Sequence, residues 1–92
     1  MKIRFDPAKR LSNLRKHGID LIDTDYVFGD PIAVTRADPD HDEARYVSVG
    51  RDARGRLLVV VWTDADGDNP RVISARRASP RERKHYYRGV RQ

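Results

Sequence analysis

From Arg56 to Thr63 the chain reads Arg-Leu-Leu-Val-Val-Val-Trp-Thr, apolar at both of the alternating positions that a strand offers. A strand with two apolar faces has to be covered on both, so this run predicts the centre of a sheet with material packed above and below it. With 92 residues in all, the chain has room for one such sheet and one domain, residues 1–92. Weaker strand patterns flank the run. Arg45–Gly50 alternates, with Val47 and Val49 expected to face inward, and Arg54-Gly55 turns the chain into the central run. Residues 2–5 and 32–36 read as two further strands, and Arg71–Arg77, with β-branched Val72 and Ile73, as the last.

The helices announce themselves by their caps. Asp6-Pro7 supplies an N-cap and a first-position proline, and Gly18 a stop, so one helix is expected over residues 7–17. At about 100° per residue, Ala8, Leu11 and Leu14 form its buried stripe, and Lys9, Asn13 and Lys16 a polar stripe opposite, flanked by His17. Asp20 caps a second, shorter helix through Phe28, ended by Asp30-Pro31. Ser79-Pro80-Arg81-Glu82 is a capping box with proline at the first helical position, opening a last helix that Gly89 is placed to end. The order β-α-α-β-β-β-β-α, with short connections between strands, predicts an α+β fold: a small antiparallel sheet carrying two N-terminal helices and a C-terminal helix.

Charge is distributed in blocks. Residues 1–17 carry +5, residues 18–70 carry −7 and residues 71–92 carry +7, within a chain of net charge +5. If the two ends pack together they make one basic face, which suits a polyanion, most commonly a nucleic acid. There is no cysteine, so disulfide and thiol chemistry are excluded, in keeping with a reducing cytoplasm. No apolar run approaches the roughly 20 residues of a membrane span. The spacings Asp38-x-Asp40-x-Asp42 and Asp64-x-Asp66-x-Asp68 start like calcium loops but lack the glycine and the closing Glu, and read as turns. No metal or other cofactor is expected, and His41 is expected to pair with Glu43 or Arg45.

Several blocks then line up in order: Phe5-Asp-Pro-Ala-Lys9, Asn13, Lys16-His-Gly18, Phe28-Gly-Asp-Pro31, the Asp38–Arg45 segment, Gly55-Arg-Leu-Leu-Val-Val-Val61, and Ile73-Ser-Ala-Arg-Arg-Ala78 followed by Glu82-Arg83 and Tyr86. Together they resemble the BrnT toxins of bacterial type II toxin–antitoxin pairs, nearly end to end. The resemblance implies a RelE-like fold and a ribonuclease that blocks translation. It also implies a hetero-oligomer with a ribbon-helix-helix antitoxin (BrnA-like), through which alone operator DNA is bound. Composition and spacing by themselves stop at a basic α+β nucleic-acid binder. RelE-like toxins differ widely in their active residues, so the fold hands over no catalytic set.

Cleaving RNA without a metal needs a base for the 2′-hydroxyl proton, cations on the phosphate, and an acid for the leaving 5′-oxygen. On β alternation Val72, Ser74 and Arg76 share one face of the last strand, and Ile73, Ala75 and Arg77 the core side. Arg76 is therefore the candidate phosphate clamp, since a guanidinium holds two oxygens at once; a helix-capping or Asp-paired arginine is the plain alternative. Lys16 and His17 are the next catalytic candidates, with His17 read equally as a simple capping residue. Glu82 and Tyr86, four apart on a helix, are a possible pair for orienting a base or phosphate, against a Tyr86 that merely packs. Lys9, Asn13, Arg77, Arg81 and His85 are the candidate RNA contacts. Two non-enzymatic readings compete: a nucleic-acid-binding subunit of the same fold, and a module whose basic surface only receives an acidic antitoxin segment.

Overall fold

The computed structural model describes residues 2–39, 41, 43–64 and 69–90. Its strands are β1 (Arg4–Phe5), β2 (Val34–Asp38), β3 (Arg45–Arg51), β4 (Leu57–Thr63) and β5 (Arg71–Arg77). The helices are α1 (Pro7–His17), a 3-10 helix (Leu21–Gly29) and α2 (Pro80–Val90). One sheet contains all five strands in the order β1-β5-β4-β3-β2. The meander β2 to β5 is antiparallel, as its short connections require. β1, however, joins β5 in parallel, pairing Arg4 with Arg71 and Phe5 with Val72, so the sheet is mixed and not antiparallel. The helical crossover delivers β2 to the far edge running opposite to β1, and the meander returns β5 alongside β1 in β1's own direction. Among the described residues no helix is long and apolar enough to cross a membrane.

The caps form as read. Asp6 accepts from Ala8 N–H at 2.8 Å, and Gly18 closes α1 in the left-handed conformation at φ 69°. Asp20 caps the 3-10 helix through Ile22 N–H at 3.2 Å. The tighter winding of this segment suits Thr24, whose short polar side chain bonds back to the preceding turn and competes with an α-helix: Thr24 Oγ1 donates to Leu21 O at 2.7 Å. α2 runs on through Gly89 to Val90, so Gly89 does not terminate it. Nothing about the backbone obliges a stop there: Gly89 lacks the positive φ that a left-handed cap uses.

Ile19 and, from the 3-10 helix, Leu21 and Val27 pack on Leu58, Val60, Val72 and Ala75, with Phe5, Phe28 and Trp62 at the margin. Leu57 and Val59, alternating with these on β4, are also buried, so the central run is covered on both faces. Two expectations about facing are refined by the structure: Val47 is buried as expected, but not on the side of the 3-10 helix. Val47 and Val49 pair with Val61 and Val59, and therefore lie on the face opposite the 3-10 helix. The helix instead presses on Gly50, where an added Cβ would meet Val27 Cγ1 at 3.1 Å and Ala33 Cβ at 3.2 Å. That close approach fixes the phase of β3 and sends its valines to the other side. On β5, the register slips between Val61 and Trp62, whose partners are Ser74 and Val72. Ile73 is the extra residue of this bulge, so Val72 and Ala75 both reach the core although three apart.

α1 is turned over relative to the apolar-stripe reading. Leu11 and Leu14 are 52% and 46% exposed, and Ala8 is exposed, while Asn13 is the buried residue of the helix. The reason is the edge of β5. Beyond the short β1, Ala75 would bury an unpaired N–H and C=O, each costing roughly 1–3 kcal/mol if left unmade. The Asn13 side-chain amide meets both. Its Oδ1 accepts from Ala75 N–H at 3.0 Å, and its Nδ2 donates to Ala75 O at 2.8 Å and Ile19 O at 2.9 Å.

Candidate nucleic-acid interface

α2 lies against the sheet face that carries Val47 and Val49, leaving a groove of about 650 Å³ lined by Val34, Arg36, Val47, Val49, Arg81, Glu82, Lys84, His85 and Arg88. The valines of β2 and β3 form an apolar floor. Arg81, His85 and Arg88 recur at helical spacing along one wall, and Arg36 rises from the edge strand. Four permanent cations and an imidazole thus face a single carboxylate.

That carboxylate is already engaged. Glu82 Oε1 and Oε2 accept from Arg76 Nη1 and Nη2 at 2.8 and 2.9 Å, a two-pronged pair joining β5 to the first turn of α2. The capping box closes as the sequence requires: Glu82 Oε1 also accepts from Ser79 N–H at 2.7 Å, and Ser79 Oγ accepts from Glu82 N–H at 3.2 Å. The Arg76 bonds, and after them the Ser79 bonds, outweigh burial and hold the Glu82 carboxyl down at about 2. A carboxylate so stabilised is a poor proton acceptor at neutral pH. It neutralises and orients Arg76, whose pKa rises in return through the same bonds.

Tyr86 does not pair with Glu82. It is 1% exposed, and its hydroxyl donates to Asp30 Oδ2 at 2.7 Å. Burial first, then this bond, push the phenol up to about 12. Burial also works against the charged Asp30, but bonds from Arg51 N–H, Tyr86 O–H and Ile32 N–H prevail and leave its pKa lowered. Asp30 therefore ties the end of the 3-10 helix, the end of β3 and α2 at one point. Beside it, Arg51 bonds the Tyr87 hydroxyl and, like Arg83, lies over the Tyr87 ring.

The polar stripe of α1 lines a different cavity. Lys9, Ser12, Asn13, Lys16 and His17 enclose about 210 Å³ against Ile73 and Ser74 of β5. This cleft and the groove have no lining residue in common. Both basic ends of the chain do reach β5: α1 through Asn13 to Ala75, α2 through Glu82 to the adjacent Arg76.

The structure therefore gathers Arg81, His85 and Glu82 around the groove, with Arg76 bound to Glu82, and sets Lys9, Lys16 and His17 apart in the α1 cleft. Asn13 is occupied in holding α1 to β5. Arg77 pairs with Leu58 and lies, exposed, on the core side of the sheet, away from the groove. Arg36 is a groove residue that sequence reasoning missed. Its signal, the alternation of Val34 and Arg36, acquires meaning only from the pairing of β2 with β3. His41 pairs with Asp38 at 3.2 Å, while Glu43 takes Arg45 and Arg71, so the expected partner of His41 was the wrong one. Asp40, Asp42 and Asp66, Asp68 of the two acidic loops lie outside the described residues. Among those described, no three His, Asp or Glu side chains converge as metal ligands would.

Comparison with known proteins connects this surface to a family. A family described as "Ribonuclease toxin, BrnT, of type II toxin-antitoxin system" matches residues 5–82. Comparison with curated protein sequences finds no match. The 1.1 Å crystal structure of the Brucella abortus ribonuclease toxin BrnT is similar to this chain at 29% identity and a TM-score of 0.66, covering 86% of this chain and 97% of that one. The match runs from Phe5, in β1, through both helices of the N-terminal half and strands β2 to β5 to the capping box of α2, and by it the chain belongs to the BrnT family of ribonuclease toxins of type II toxin–antitoxin systems.

Proposed function

We propose that this chain is an endoribonuclease that binds single-stranded RNA along the groove under α2 and cleaves it without a metal ion. The observation that carries the reading is the groove itself: Arg36, Arg81, Lys84 and Arg88 surround His85 over an apolar floor. Imidazole is the side chain suited to moving a proton near neutral pH, and clustered cations stabilise the charge that builds on a reacting phosphate. His85 takes the proton of the 2′-hydroxyl, the 2′-oxygen bonds to phosphorus as the bond to the 5′-oxygen breaks, and water protonates the departing oxygen. The product strand ends in a 2′,3′-cyclic phosphate. Arg76, held in place by Glu82, adds positive charge from the floor side. Tyr86 serves the frame through Asp30, and Lys16 and His17 act on binding from the α1 cleft.

In the cytoplasm such an activity blocks translation, and a ribbon-helix-helix antitoxin, in a hetero-oligomer with the toxin, covers the basic face and supplies operator binding. The test of the chemistry is incubation of purified toxin with single-stranded RNA in the presence of a chelator. Fragments carrying 2′,3′-cyclic phosphate ends are expected, and their absence from His85→Ala digests. RNA left intact by folded parent protein, or cleavage only after a divalent metal is restored, overturns the reading.

A further inference from the structure

We infer that the cleft between α1 and β5 is a second phosphate-binding site, which holds the backbone of single-stranded RNA outside the groove. The inference rests on the RNA-binding reading above and adds a distinct subsite to it. Lys9, Lys16 and His17, with the hydroxyls of Ser12 and Ser74, line the cleft, and among the described residues no carboxylate does; Asp6 and Glu43 belong to an adjoining smaller hollow that Lys9 also borders. The chemistry of the cleft is that of an anion receptor: cations and hydroxyl donors around a hollow of about 210 Å³.

Three observations go beyond a solvated helix face. First, Lys9 is the third residue of α1, in a first turn without any acidic residue. A cation there opposes the helix dipole, so helix stability does not account for it. Second, α1 cannot roll to release these side chains, because the Asn13 amide is locked to Ala75 and Ile19. The helix face that carries the cations is set against β5 before any ligand arrives, which lowers the ordering cost of binding. Third, Ser74 of the cleft lies on the same face of the sheet as the groove valines. Ser74 pairs with Val61, Arg76 with Val59, and Val61 and Val59 with the groove valines Val47 and Val49. From Ser74 to Val47 is two strand spacings, about 10 Å, a distance that a short run of nucleotides bridges.

The experiment measures binding of a 2′-O-methyl oligonucleotide, which cannot undergo the transfer reaction, to the parent and to Lys9→Gln/Lys16→Gln across a salt series. Both lysines are exposed, and the substitutions leave the Asn13 bonds in place. For a long oligonucleotide the slope of log K against log salt is expected to shrink by about 0.7 for each phosphate that the variant no longer neutralises. For a dinucleotide, whose single phosphate cannot occupy both sites, parent and variant are expected to coincide. An unchanged slope with the long oligonucleotide, or an equal weakening with the short one, overturns the second site while leaving the groove standing. Failure of the parent itself to bind either oligonucleotide refutes the RNA reading as a whole.

Discussion

Asn13 is bonded to Ala75 as a neighbouring strand would be, giving one bond to its N–H and one to its C=O at 3.0 and 2.8 Å. A single side chain thereby extends the sheet where β1 ends and decides which way α1 faces. Asn13→Ala strips partners from three buried backbone groups and is expected to destabilise the fold by on the order of 3 kcal/mol. Leu11→Ser and Leu14→Ser, at positions that an apolar stripe would bury, are expected to stay within about 0.5 kcal/mol of the parent. Denaturant melts of the three variants check the ranking; a leucine variant as damaging as Asn13→Ala contradicts it.

The Arg76–Glu82 pair gives acid sensitivity a definite window. Glu82 titrates at about 2 in the fold against an ordinary 4.5. A depressed carboxylate contributes stability that is present above the ordinary value and is lost as pH falls from about 4.5 to about 2. Stability curves of parent and Glu82→Gln should converge across that window. Because both side chains are partly exposed, a double-mutant cycle should find a coupling of only about 1 kcal/mol.

Tyr86 sets a window at the alkaline end. Its folded pKa of about 12 lies above the ordinary 10. The stabilising bond to Asp30 is therefore complete below pH 10 and is lost as pH rises towards 12. Tyr86→Phe removes one hydrogen bond to a charged partner and is expected to cost roughly 1.5–3 kcal/mol. Spectrophotometric titration should show one tyrosine fewer ionising late; an unchanged alkaline melting profile counts against the assignment.

Loss of activity should separate chemistry from frame. His85→Ala is expected to lower RNA cleavage by about 10²–10⁴-fold, and Arg76→Ala by about 10²–10³-fold, with both proteins still melting cooperatively. Growth arrest on expression in a bacterium reports the same order. Full toxicity of a folded Arg76→Ala protein removes this arginine from the mechanism.

Neutralisation should depend on salt. The groove cations face solvent, so encounter with an acidic antitoxin segment is steered by a field screened over about 8 Å at physiological ionic strength. Association rates with the co-expressed antitoxin are expected to fall as salt rises, and gel shifts to place operator binding on the antitoxin. Sequence-specific operator binding by this chain alone reverses that division of roles.

Local chemistry determined much of this protein from the sequence alone. The caps at Asp6, Asp20 and Ser79, the stop at Gly18, the two-faced central strand and the bounds of α1 and β5 all follow from residues within a few positions of one another. Family membership was legible too, because it rests on short motifs kept in order. Tertiary structure alone decided the facings. The parallel docking of β1, the bulge at Ile73, the close approach at Gly50 and the Asn13 bridge each depend on a partner far away in the chain. Periodicity shows that an element has two faces but not which one meets the core. Where a buried strand edge needs polar partners, an asparagine can prevail over two leucines. The same long-range pairing brought Arg36 beside His85 and set Lys16 apart from Arg81, so the candidate site was readable as residue types and not as an arrangement.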